Sequence, residues 1–128
     1  MRALSPHRLT GIAAPLAVWA LHFVAVYSLQ GLACGEGWLR RRVAGAGADA
    51  ELATWLLVAL TALALAAIAW LGLRGLRAWH AAKADPQAGA DGRRRRFAAA
   101  VAALAAVLAA IAVAFTAVPI FMLPPCAR

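Results

Sequence analysis

Three long apolar runs divide the chain, and the stretches outside them hold its charge. The first, Leu9 to Cys34, has Thr10, His22, Ser28 and Gln30 as its polar residues. The second, Leu52 to Leu73, contains Thr54 and Thr61 and no charge, and the third, Phe97 to Leu123, has Thr116 alone. None shows the period-two alternation of a half-buried strand. Each has at least the roughly 20 residues that a helix rising about 1.5 Å per residue needs to cross about 30 Å of hydrocarbon. Inside lipid the backbone groups must be satisfied within the segment, so helices follow. The pattern predicts an all-α membrane protein with three transmembrane helices, over about 9–34, 52–73 and 97–119. They form a small helical bundle that makes residues 1–128 a single transmembrane domain.

The basic residues orient these spans. Arg2 and Arg8 precede the first, and the loop 74–96 carries Arg74, Arg77, Lys83, Arg93, Arg94, Arg95 and Arg96. The other side has Arg40, Arg41, Arg42 and Arg128, so the count is nine against four. By the positive-inside rule the amino terminus and loop 74–96 are cytoplasmic, and loop 35–51 and the carboxyl terminus are periplasmic. The expectation is an N-in/C-out, multi-pass protein of the bacterial inner (cytoplasmic) membrane. A cleaved signal peptide is the alternative for the first run, but its apolar stretch is longer than the roughly 7 to 15 residues of an h-region. Gly31-Leu32-Ala33-Cys34 is a poor lipoprotein box, with a bulky Leu two residues before the Cys.

Composition fits a membrane setting. Of 128 residues 65% are hydrophobic and 14% charged, with a mean hydropathy of +0.77, against roughly 45–50% and 25% in soluble domains. The net charge of +8 is spent on loops between spans, which argues for topology and anionic lipid and against nucleic acid. In loop 35–51, Gly- and Ala-rich, Trp38 is expected at the interface. From Arg74 the second helix is expected to continue past the membrane until Pro86 stops it. Arg93, Arg94, Arg95 and Arg96 then open the third helix, where they meet anionic headgroups or the acidic patch of a partner.

His22 is the outstanding polar residue. It lies fourteen residues from Arg8 and twelve from Cys34, near the bilayer midplane on helical rise. Thr61, ten residues past Glu51 on the antiparallel second span, falls at similar depth, so a hydrogen bond between them is the simple reading. A heme ligand, quinone contact or proton relay is the sharper one, because intramembrane ionisable residues often mark function. One His and no carboxylate in any span cannot by themselves make bis-His ligation or a proton wire. A chain with no cofactor of its own is therefore expected, any contact with heme, quinone or lipid being shared with a larger complex, and an autonomous site is the remaining alternative. Trp19, one turn before His22, reads as helix packing.

Cys34 and Cys126, the two cysteines, both fall at the periplasmic end. A disulfide tying the first span to the third is expected there, with free thiols and metal binding as alternatives. Pro119, Pro124 and Pro125 are expected to end the third helix and bend the chain from Val118 onward. Small residues recur at helix-packing spacing: Ala59, Ala62, Ala66 and Ala69 on the second span, and Ala102, Ala106, Ala110 and Ala114 on the third. Such stripes let helix backbones approach where no aqueous hydrophobic effect drives association. Their simplest use is within this bundle, and docking on a larger membrane complex is the other.

Pro15, Trp19, His22-Phe23, Tyr27 and Cys34, with Pro119 and the closing Pro124-Pro125-Cys126, resemble small three-span proteins encoded with proteobacterial heme-copper cytochrome c oxidases. The resemblance implies an accessory or assembly role beside a respiratory oxidase and assigns no catalytic residue. The leading expectation is a non-catalytic accessory subunit that stabilises such a complex. An assembly factor for it and a small homo-oligomeric transporter or channel, with His22 lining the path, are the alternatives. No carboxylate pair, Ser and His with an orienting acid, or Gly-rich phosphate loop supports an enzyme.

Overall fold

The computed structural model describes residues 5–36, 42–45, 48–85 and 89–122, with the backbone alone over 42–45 and 48–50. Among these lie three helices and a short ribbon: α1 (Leu9–Glu36), β1 (Arg42–Gly45), β2 (Ala48–Glu51), α2 (Leu52–Lys83) and α3 (Gly89–Met122). The helices have 28, 32 and 34 residues, and each is long and apolar enough to cross a membrane.

Two of them overrun their apolar segments. Helix α2 continues ten residues past Leu73 and α3 begins eight before Phe97, so the pair forms a helical hairpin that prolongs the bundle beyond its apolar part. Gly89, at the start of α3, has a φ of 54°, a left-handed conformation that favours glycine. The turn Ser5–Arg8 folds onto the start of α1: Arg8 N–H donates to Ser5 O (3.0 Å), and Arg8 O accepts from Gly11 and Ile12. Gly11 is required there, because a Cβ would run into the Ser5 carbonyl.

The bend expected at Val118 is corrected, and a ribbon adds an element that the sequence did not predict. Loop 35–51 contains an antiparallel ribbon in which Arg42 pairs with Glu51, Val43 with Ala50, Ala44 with Asp49 and Gly45 with Ala48. The two-residue connection between β1 and β2 is the length that closes a hairpin. Helix α3 also does not bend at Val118 but runs through Pro119 to Met122. A proline costs its own N–H bond and crowds the carbonyl four residues back, and so close to the helix end it has little helix left to disrupt. Pro15 is likewise absorbed within α1, where it is buried. Pro124, Pro125 and Cys126, like Trp38, Arg40 and Arg41, lie outside the described residues.

The buried positions show how the helices mesh. On α1 they are Gly11, Pro15, His22, Val26 and Ala33, and on α2 Ala53, Leu57, Thr61, Ala64, Ile68 and Gly75. On α3 the seam runs through Ala99, Ala102, Ala106, Ala109, Val113 and Ala117. Steps of three and four residues, or their sum of seven, keep each seam on one face of a gently supercoiled helix. The hairpin α2–α3 is the most extensive contact, with α1 laid against both. Its helices come closest where a Cβ on Gly75 would lie 3.1 Å from Ala103 N and one on Gly72 would lie 3.1 Å from Ala106 Cβ. The central cluster is Ala64, Ile68, Ala106, Ala109 and Val113, covered by Val18 and Trp19 of α1.

Candidate functional site

The seam of α1 carries one ionisable side chain into this interior. His22 is 2% exposed and Thr61 8%, and His22 Nε2 lies 3.1 Å from Thr61 Oγ1, the pairing that their matched depth suggested. The Thr61 hydroxyl donates its single proton to the Leu57 carbonyl at 2.8 Å. Its oxygen is then left to accept, so Nε2 of the imidazole carries the proton and Nδ1 the lone pair. The chain of donors therefore runs from His22 through Thr61 to the backbone of α2, and it stitches α1 to α2.

Two polar atoms one turn apart complete the site. His22 Nδ1 and Trp19 Nε1 are both buried with no hydrogen-bond partner among the described residues. One is an acceptor and the other a donor. Trp19 also begins an aromatic ladder on α1, with ring centroids 6.1 Å apart to Phe23 and 4.5 Å from Phe23 to Tyr27. The ladder passes from the interior to the outside, since Phe23 and Tyr27 are exposed. The His22 ring is enclosed, with its Nε2 engaged by Thr61. Among the described residues no three His, Cys, Asp or Glu side chains are placed to hold a metal ion.

The small-residue stripes divide differently from expectation. On α3, Ala102 and Ala106 are buried, Ala110 is half-buried and Ala114 is exposed. A strict spacing of four advances about 40° per step around a helix and so drifts off the seam, which alternates three and four. On α2 the correction is complete: Ala59, Ala62, Ala66 and Ala69 are all exposed. They lie roughly a third of a turn around the helix from Thr61, so the stripe and the His22 contact cannot share one face. Thr61, Gly72 and Gly75 mark the true seam: Thr61 pairs with His22 of α1, and the two glycines sit where α2 meets Ala106 and Ala103 of α3.

At the hairpin end the cations gather. Arg93, Arg94, Arg95 and Arg96 are all exposed on the first turns of α3. The Arg96 guanidinium lies 5.9 Å from the Trp79 ring and the Lys83 ammonium 5.3 Å from it, while Arg74 stacks over Trp70 at 4.8 Å. His7, from the turn before α1, joins Asp85, Asp91 and Arg95 around a cavity of about 420 Å³. It also meets Arg94, with Asp91 and Arg95, around a smaller recess of about 210 Å³. The amino-terminal flank and the basic hairpin thus occupy one end of the bundle. Cys34 stands at the far end, close to Ala33, which packs on Ala53 beside the ribbon. The other half of the expected disulfide, Cys126, is outside the described residues.

No known protein family, curated protein or solved structure matches the chain.

Proposed function

We propose that the chain is a non-catalytic accessory subunit of a larger integral membrane complex, held in a bacterial inner membrane with its amino terminus in the cytoplasm. The observation that carries this reading is the outward-facing row Ala59, Ala62, Ala66 and Ala69 on α2. The row is not used by the chain's own helices, and small residues at that spacing are what a neighbouring transmembrane helix packs against. Only 22%, 28% and 28% of the three apolar windows is buried, so most of each helix is open to such a neighbour. The resemblance carried by Pro15, Trp19, His22-Phe23, Tyr27 and Cys34 narrows the complex to a respiratory one, a heme-copper cytochrome c oxidase. In this reading His22 is a packing residue and the chemistry belongs to the partner.

Ala62→Leu with Ala66→Leu tests the docking row. The double variant should insert and fold as before, since both positions are exposed, but should be lost from the complex on mild-detergent purification. Retention equal to the unaltered chain would remove the row from the interface. Counting copies separates a subunit, present in each mature complex, from an assembly factor, present on intermediates alone.

The N-in/C-out arrangement and a disulfide between Cys34 and Cys126 belong to the same proposal. An impermeant thiol reagent applied from the periplasmic side should label both cysteines, and only after reduction. Labelling from opposite faces would contradict the topology, and labelling without reduction would contradict the disulfide.

A further inference from the structure

The outer face of the α2–α3 hairpin joins an apolar feature and a cationic one. The first is an apolar groove of about 580 Å³ between the helices, whose floor includes Ile68, Gly72 and Ala106 and whose rim includes Leu76, Leu104 and Val107. It runs from Leu65 to Leu76, roughly 16 Å along the helix axis. Its shallow floor follows from the sequence, because Gly72, Ala69 and Ala103 leave room where larger side chains would fill it. The second feature lies directly beyond it. Lys83 and Arg96 both lie over the Trp79 ring, and with Arg93 and Asp85 they line a cavity of about 240 Å³.

Helical spacing puts the two on one line. Leu76 and Lys83 are seven residues apart on α2, as are Ala103 and Arg96 on α3, so each pair shares a face. Trp79 sits between, less than one turn past Leu76. Lys83 reaches back toward the groove, as side chains on a helix lean toward its amino terminus. Arg74 and Arg77 project from other sides of α2.

We propose that this face is a binding site for one anionic phospholipid, with an acyl chain in the Leu65–Leu76 groove and the phosphate between Lys83 and Arg96. Charge complementarity selects the occupant. A slot that is apolar for the length of an acyl segment and cationic at one end, with an indole at the junction, matches an amphiphile with an anionic head. A transmembrane helix of a partner would fill the groove but would leave two cations and a Trp beyond it without a matching group. Asp85 lines the same cavity, so there one carboxylate faces the three cations Lys83, Arg93 and Arg96. The groove shares Ala69 with the docking row, but the charge test uses no partner complex, and its failure would leave that reading standing.

Native mass spectrometry of the full chain, released from detergent with phosphatidylglycerol or phosphatidylcholine added, tests the site. Phosphatidylglycerol should be retained as a single bound copy, preferred on the order of ten-fold over phosphatidylcholine, as expected for two cations at an anionic head. Lys83→Gln with Arg96→Gln should abolish the preference, whereas Arg74→Gln with Arg77→Gln should keep it. Val107→Trp, at an exposed rim position, should reduce retention of both lipids by blocking the chain slot. Equal retention of the two lipids would overturn the proposal, as would equal loss in the two charge variants. So would a photo-crosslinker at position 107 that captured a polypeptide instead of lipid in native membranes.

Discussion

Replacing Gly75 with leucine should separate α2 from α3 and destabilise the bundle more than any other single change at the hairpin. The backbone of α3 is the obstacle: a Cβ at this position would lie 3.1 Å from Ala103 N and 3.4 Å from its Cα. Backbone cannot rotate away as a side chain can, so the helices must move apart along the seam. Overpacking of this kind costs about 1–3 kcal/mol, and the helices would also lose the close contacts that hold membrane bundles together. The measurement is loss of folded protein on titration with a denaturing detergent, beside Gly31→Leu as the control. Gly31 has nothing within 4 Å of the added Cβ, so its variant should unfold with the unaltered chain. Coincident curves for the two variants would mean that the helices do not meet at Gly75.

Removing one hydroxyl should cost nearly as much. Thr61→Val keeps the shape of the side chain but leaves the His22 Nε2–H, now without its acceptor at 3.1 Å, inside the bundle. An unsatisfied buried donor costs about 1–3 kcal/mol. Adding His22→Leu to Thr61→Val should restore most of the loss, because both polar partners are then gone and nothing is stranded. That recovery separates packing from chemistry. If His22 instead serves a cofactor or a proton path, the double variant will regain stability yet abolish the spectrum or activity of the complex it joins. Under the packing reading it regains stability and keeps both.

The existence and approximate extent of the three helices were legible in the sequence, because hydropathy and the roughly 30 Å of hydrocarbon leave no other reading of runs this long. So was the meeting of His22 and Thr61, since two polar residues at equal depth in lipid have few partners to choose from. The rotation of α2 was not. Lipid and a protein interior are equally apolar, so Ala59, Ala62, Ala66 and Ala69 look as suitable for the seam as Ala53, Leu57, Ala64 and Ile68. Periodicity distinguishes inside from outside only where outside is water. The informative positions were the exceptions: Thr61, which needs a hydrogen-bond partner, and Gly72 and Gly75, which permit close approach.

The helix ends were misread for a different reason. Pro119 was expected to act as a stop, but near the end of α3 it removes one N–H bond and the helix continues to Met122. The ribbon Arg42–Gly45 with Ala48–Glu51 lies in a Gly- and Ala-rich stretch with little strand propensity. At the hairpin end, the run Arg93, Arg94, Arg95, Arg96 gave the sign of the potential but not the arrangement. That Arg96 and Lys83 meet at Trp79 depends on how the two helices are set against each other.

Purification from native membranes under mild detergent tests most directly whether the chain is a packed component of something larger. The tagged full chain should elute with a multi-subunit integral membrane complex, in fixed proportion, carrying the absorbance of heme. Elution as the 13.3 kDa chain in its own detergent micelle, or as an oligomer of itself without heme, would contradict it.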